Sequence, residues 1–316
     1  MKTFALILSI LLLTPGKAFV EEQVELVTPG CTLKGTLTTQ DDPSQSTLLV
    51  ILIAGSGPTD RNGNNPAMEN NSLKMFSEML VANGYSCLRY DKRAIGESSV
   101  PNLTKETLNF DLSISDASEW VNQYAADVRF HGIVLAGHSQ GSLVALAAAN
   151  QNENVSAVIS LAGAGQPIHQ ILKWQLAKSL SPELQGLVNT KLDTLAMGDT
   201  LKVTPDVFYS FMHPSVQPFL ISWMKYDPGQ EAAKLKVPLL IVNGTTDLQV
   251  QVSEAKLLKE KQPNATLAII KNMNHILKFT KDKEMGPQLE LYGDPDPPLH
   301  KKLTGVVVDF LEGLNG

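Results

Sequence analysis

The chain has 316 residues, of which 43% are hydrophobic and 18% charged, with a formal net charge of -6 at pH 7. This is the composition of a folded globular protein long enough for one large domain with an insertion. The acidic balance argues against nucleic acid as a partner and against electrostatic docking on anionic membranes.

The chain opens with one lysine, an apolar run of about ten residues, a Pro15-Gly16 break and the small residue Ala18, the pattern of a secretory signal peptide cleaved after Ala18. The run is short for a bilayer span and no second candidate follows, so the expectation is a secreted or periplasmic protein with no integral membrane segment once residues 1–18 are removed. With Lys2 and Lys17 gone, the formal charge falls to about -8. No cysteine stands at the cleavage point to take a lipid. Two cysteines occur, Cys31 and Cys87; two separate buried thiols are the favoured reading, and pairing in an oxidising compartment is the alternative.

Strands are expected over 23–28 and 32–38, hinged at Pro29-Gly30. The continuous apolar run 47–53 suits a strand covered on both faces. Gly55-Ser56-Gly57-Pro58 and an Asn/Gly-rich loop follow, then a helix over 69–83 with Leu73, Phe76, Met79 and Leu80 on one stripe. A strand over 85–90 ends in Asp91-Lys92-Arg93-Ala94-Ile95-Gly96-Glu97-Ser98. A helix over 111–126, a strand over 133–136, a helix over 142–150 and a strand over 155–161 continue the alternation. It then stops: residues 166–236 read as helical throughout. Alternation resumes with a strand over 237–242, a helix over 252–261, a strand over 266–270 and a last helix over 301–311. This pattern implies a mostly parallel sheet flanked by helices, its core formed by 19–165 and 237–316, with 166–236 inserted as a helical lid.

Gly137-His138-Ser139-Gln140-Gly141 joins an apolar strand to an alanine-rich helix. Gly-x-Ser-x-Gly in that setting is the sequence form of a nucleophile elbow, a turn so tight that the residues two before and two after the serine must be nearly free of side chain. Ser139 is therefore the candidate nucleophile. A serine hydroxyl needs a base within reach and the base needs an orienting group. Asp247, just past the strand 237–242, is the candidate acid, its bland alternative being a turn or helix-cap aspartate. His275, in the loop after the next strand, is the candidate base. The rival His300, at the start of the last helix, suits a solvated place. His138 is expected to line or underlie the pocket rather than act as base, His131 to be structural, and His169 and His213 to be solvated in the lid. Oxyanion donors are expected from the backbone N–H of Gln140 and of Ser56, with Gly57 as the alternative to Ser56. Asp60-Arg61-Asn62 reads as an internal ion pair bracing that loop, with a substrate carboxylate as the other use of Arg61.

Gly-Ser-Gly-Pro at 55–58, Asp60-Arg61, Asp91-Lys92-Arg93 with Gly96-Glu97-Ser98, the elbow at 137–141, Gly244 with Asp247, and Asn274-His275 together resemble the α/β-hydrolase superfamily. The resemblance is nearest to bacterial esterases with a Gly-Ser-Gly-Pro-x-Asp-Arg oxyanion loop, grouped with serine aminopeptidase-like hydrolases. It implies an α/β-hydrolase fold with Ser139 as nucleophile, Asp247 and His275 as its partners, and Ser56 and Gln140 as oxyanion donors. Two positions depart from the pattern: Ala54 replaces a usual histidine and Ala94 a usual glycine.

The leading expectation is a secreted serine esterase acting on a small-molecule carboxylic ester of short to medium acyl chain, its pocket drawing on lid residues such as Trp174, Phe208, Phe211, Trp223 and Met224. The triad chemistry calls for no metal or organic cofactor. A peptide or amide hydrolase, for which Asp206, Asp227 and Glu231 are candidate amine-binding acids, or a thioesterase would use the same triad. A non-enzymatic binding module on the same fold is the third reading.

Overall fold

The computed structural model describes residues 10–12, 19–41, 46–102, 104, 108–202 and 212–314. Their strands form one nine-stranded sheet in the order β1-β2-β3-β5-β4-β6-β7-β8-β9. β1 (Ile10–Leu12), β2 (Phe19–Thr28) and β3 (Cys31–Gln40) pair antiparallel, and β3 lies antiparallel on β5 (Ser86–Tyr90). From β5 onward the sheet is parallel, through β4 (Thr47–Ile53), β6 (Phe130–His138), β7 (Val155–Leu161), β8 (Leu239–Gly244) and β9 (Thr266–Ile270). Of the segment expected to be a signal peptide, only β1 falls among the described residues.

Helices cover both faces, and the period-2 alternation of the strands shows why. In β4, Leu49, Ile51 and Ile53 join a core with Phe110, Ile114 and Trp120 of α2 (Phe110–Tyr124) and Leu143 and Leu146 of α3 (Gln140–Gln151). Leu48, Val50 and Leu52 point the other way, onto Leu73, Phe76 and Leu80 of α1 (Ser72–Ala82) and Leu303, Val307 and Leu311 near the C-terminus. A strand buried on both faces has no polar side, so its sequence is continuously apolar.

Between β7 and β8 the described residues form helices only: α4 (Ile168–Ala177), α5 (Pro182–Ala196), α6 (Gln217–Met224) and α7 (Pro228–Lys234). They hold a small apolar cluster of their own around Val188, Leu192, Leu195, Met212, Leu220 and Met224. After β8 come α8 (Val252–Lys261), α9 (Met285–Tyr292) and α10 (Lys301–Glu312). The periodicity missed α9, whose eight residues include Gly286-Pro287 and bury only Gln288.

Two other expectations change. Arg61 makes no internal pair with Asp60; it is buried and bonds Asp91 through Nε (3.1 Å) and Nη2 (2.8 Å), with Glu97 and Thr36 alongside. Asp60 instead accepts the N–H groups of Asn62 and Asn64, an Asx-type turn. His300 is buried, not solvated: its Nδ1 accepts the N–H of Lys302 as the N-cap of α10. His131 is exposed, with its ring 3.1 Å from the carbonyl oxygen of Ser46. Cys31 and Cys87 are unpaired and buried.

Candidate active site

The chain reverses its walk along the sheet at β4: β5 lies on one side of it and β6 on the other. The strand ends diverge at such a switch point and leave a crevice at their C-terminal edge. Residues 55–58 leave β4 there and Ser139 leaves β6 beside them.

Ser139 has φ 54° and ψ -116°, a region that a residue with a side chain occupies only when its surroundings hold it there. The surroundings are backbone. A Cβ on Gly137 would stand 2.0 Å from the carbonyl oxygen of Gly141, and one on Gly141 would stand 2.3 Å from that of Ile53. The N–H of Ser139 donates to Leu161 O of the neighbouring strand (2.8 Å). Gln140 is the first residue of α3, where N–H groups lack an intrahelical acceptor and the helix dipole favours negative charge. A Cβ on Gly55 would lie 3.3 Å from the Cβ of Ser139, so the loop after β4 crosses directly beside the serine.

Asp247 and His275 come from loops 28 positions apart that are fastened to each other. Thr245 N donates to Ile270 O (3.0 Å), Thr246 N to Met273 O (3.1 Å), and Asn272 N to the Thr245 hydroxyl (2.9 Å). Gly244 permits this: a Cβ there would sit 1.9 Å from Met273 O. Across the join, His275 Nδ1 is 2.8 Å from Asp247 Oδ2, and both side chains are buried. The other carboxylate oxygen accepts the N–H groups of Gln249 (2.8 Å) and Val250 (2.9 Å). A carboxylate only accepts, so the proton between the pair belongs to Nδ1 and leaves Nε2 with its lone pair free for a proton. Helix α9 braces the acid loop, Gln288 Nε2 donating to Thr246 O (2.8 Å).

One contact ties this pair to the elbow. His138 Nε2 donates to the backbone carbonyl of His275 (2.8 Å), and the two rings lie 4.8 Å apart. Burial pushes the His138 imidazole down to about 4, with the nearby His275 acting in the same direction. It stays neutral at physiological pH and works as a strut. Nothing in the sequence distinguished this role from packing under the pocket.

Ser56, Gly57, Ser139 and Gln140 line a cavity of about 490 Å³. Its wall includes Leu108, Ile168, Ile171, Leu172, Val216, Phe219, Leu220 and Trp223, and Gln249 and Val250 connect it to the acid loop. No aspartate or glutamate lines it among the described residues. Of the aromatic and sulfur-bearing lid residues singled out from sequence, Trp223 lines the cavity and stacks on Phe110 (5.7 Å, 10°). Met224 joins the helices' own cluster, Trp174 lies under the Lys178 ammonium (3.4 Å), and Phe208 and Phe211 lie outside the described residues. Asp227 caps α7 and Glu231 bonds Lys234 and Asn150; Asp206 lies outside the described residues. His169 is partly covered and burial pushes its imidazole down, while His213 contacts Ser215.

Known proteins share this architecture. A sequence profile described as serine aminopeptidase, S33, matches residues 69–211, a stretch that holds the elbow but neither Asp247 nor His275. Esterase EstD of Thermotoga maritima is 26% identical over 231 residues, 72% of this chain and 54% of that protein; the chain thus spans about half the length of that relative. An esterase of Pyrococcus furiosus, Pf2001, superposes with a TM-score of 0.61 at 20% identity over 94% of this chain and 92% of its own. Est1E of Butyrivibrio proteoclasticus, solved with ferulic acid bound, superposes with a TM-score of 0.63 at 17% identity over 92% and 99%.

Proposed function

We propose that the chain is an α/β-hydrolase-type serine hydrolase cleaving carboxylic esters of short to medium acyl chain, a reading that the profile match, the esterase relative and the shared fold support. The observation that carries the reading is the buried His275–Asp247 hydrogen bond of 2.8 Å, tied to the elbow through His138, with a strained Ser139 at the wall of a largely apolar cavity. His275 Nε2 takes the Ser139 proton as the hydroxyl oxygen attacks the ester carbonyl. Asp247 stabilises the imidazolium without accepting its proton. The N–H groups of Ser56 and Gln140 hold the tetrahedral oxyanion. His275 then protonates the departing alcohol, and water hydrolyses the acyl-enzyme by the same steps.

An ester acyl group suits the aliphatic and aromatic wall. An aminoacyl substrate would bring a cationic amine into a cavity that presents Lys92 and Arg93 and no lining carboxylate among the described residues, which supports the ester over the aminopeptidase reading. The helices between β7 and β8 supply most of that wall and act as the lid, residues 166–236. Residues 1–18 act as a signal peptide, so the mature protein works in the periplasm or outside the cell. Its removal takes β1 with it and leaves β2 at the sheet edge, where the exposed Glu25 discourages pairing with another chain.

The reading is tested with p-nitrophenyl acetate and butyrate and a fluorophosphonate probe. The wild type turns over both esters and takes up the probe, and Ser139→Ala does neither while keeping its melting temperature. Unchanged hydrolysis by folded Ser139→Ala rejects it, as does faster cleavage of an aminoacyl-nitroanilide than of an ester of equal size. The N-terminal residue of the exported protein, expected at Phe19, tests the signal peptide.

A further inference from the structure

Lys92 stands at the C-terminal end of β5, one residue beyond Asp91, yet its ammonium is not spent on that carboxylate. Asp91 is taken by Arg61, whose Nη2 lies 2.8 Å from Oδ2 and whose backbone N–H lies 2.8 Å from Oδ1. Lys92 Nζ instead donates to two backbone carbonyls of the loop after β4, those of Gly55 and Gly57 (3.0 Å to the latter). Carbonyls two residues apart turned toward one cation give a loop a single defined conformation, and Gly57 at φ 70° supplies the left-handed residue this one needs.

The peptide unit is planar and trans, so the C=O of Gly55 and the N–H of Ser56 point in opposite directions. Whatever holds Gly55 O therefore aims the Ser56 N–H. That amide is the one required to face the oxyanion, on a loop whose Gly55 abuts the Cβ of Ser139. Without a fixed partner for its carbonyl, the Gly55–Ser56 unit, flanked by glycines at 55 and 57, is free to rotate and turn the oxygen toward the developing negative charge.

We propose that Lys92 is a positioning residue that clamps the Gly55 and Gly57 carbonyls and so presents the Ser56 N–H to the oxyanion. The inference rests on the ester-hydrolase reading above and adds the group that keeps its oxyanion hole formed. Lys92 touches the loop and not the reacting atoms, and it acts most strongly where the loop amide is worth most, in the tetrahedral state.

The clamp has a pH signature. Loss of hydration beneath the loop pushes the Lys92 ammonium down to about 8, with Asp91 opposing the shift. The charged and titratable groups around it are Asp91, held by Arg61; Arg93, held by Asp116; His138 against Gly55, neutral above about 4; and His275, whose ring lies 4.8 Å from that of His138. As pH rises through 8 the ammonium loses its charge, the two charge-assisted bonds weaken, and kcat falls on a limb that belongs to Lys92.

The experiment compares wild type, Lys92→Met, Lys92→Arg and Ser139→Ala on p-nitrophenyl butyrate and on fluorophosphonate uptake, with melting temperatures. Lys92→Met is expected to lose about 10- to 100-fold in kcat, with KM within about threefold, because a misaimed donor costs less than the roughly 100- to 1,000-fold of a deleted one. Probe uptake falls in parallel. Lys92→Arg recovers most of kcat, and its alkaline limb moves above pH 10. The clamp is overturned if folded Lys92→Met keeps kcat within about threefold of wild type, or if the limb near pH 8 stays in place in Lys92→Arg; the second criterion decides the matter should Lys92→Met not fold. A wild type inert to both ester and probe overturns the hydrolase reading and the clamp together, whereas an active wild type with an equally active Lys92→Met overturns the clamp alone.

Discussion

The elbow and the Asp247–His275 pair are the two halves of the candidate site, and they are built by opposite means. The elbow is held by steric exclusion inside five residues: Ser139 keeps φ 54° because Gly137 and Gly141 let strand, helix and loop meet at distances no Cβ would allow. The pair is held by hydrogen bonds between two loops, with Gly244 as the point where their backbones touch. His138 Nε2 on the His275 carbonyl joins the halves. A strained turn keeps its geometry as long as the fold survives. A hydrogen-bonded pair of loops can lose its alignment while the fold persists.

That contrast can be broken at several places. The largest effect is expected from Asp247→Asn, which leaves the loop bonds but removes the charge that fixes the His275 tautomer. Its kcat should fall about 10⁴-fold, some 5 kcal/mol of transition-state stabilisation, with little change in melting temperature. Equal loss of stability would place Asp247 in the fold rather than in the chemistry. Next come the glycines. Gly137→Ala forces backbone apart inside the sheet and is expected to cost roughly 3 kcal/mol or more, read as loss of soluble protein or a melting point lowered by several degrees. Gly244→Ala meets the same crowding between loops, so activity is expected to fall more than stability. Identical ratios of the two losses in both variants would erase the distinction between the halves.

His138 tests the strut. Its folded-state value near 4 lies below the unfolded value of 6.5, so the unfolded chain binds the extra proton between those limits. The stability this group contributes is therefore complete above pH 6.5 and is lost as pH falls toward 4, at about 1.4 kcal/mol for each pH unit crossed inside that window. His138→Gln is expected to flatten that part of the stability profile between pH 7 and 4.5 in urea melts and to lower kcat about tenfold by releasing the His275 loop. The smallest effect concerns Ala94, which occupies φ 62°, a left-handed conformation that favours glycine. Ala94→Gly removes the left-handed penalty, offset in part by unfolded-chain entropy, and is expected to stabilise by about 0.5–1 kcal/mol with kcat unchanged. A lower melting temperature would show that the Ala94 methyl contributes packing.

Much of the fold was legible because its signals are local and repeated. The apolar runs at 47–53 and 155–161 and the helix 252–261 have the expected ends, since a strand covered twice and an amphipathic helix impose their period on every residue. Helix α9 was not legible: it buries little and opens with Met285-Gly286-Pro287, so no period marks it. The candidate site divides the same way. Ser139 stands out from its two glycines, and Asp247 and His275 from their places just past consecutive parallel strands. The bonding partners of Arg61, His138, Lys92 and His300 carry no such local mark.

The chain by itself determined where strands and helices run and which side chains collect at one edge of the sheet, because backbone sterics and side-chain periodicity act between neighbours. Only the tertiary structure decided what each buried polar group bonds to: Arg61 to Asp91, His138 to the His275 carbonyl, His300 to the start of α10, Lys92 to the loop beside Ser139. A buried polar atom must find a partner, and the physics that demands one is indifferent to how far along the chain it lies.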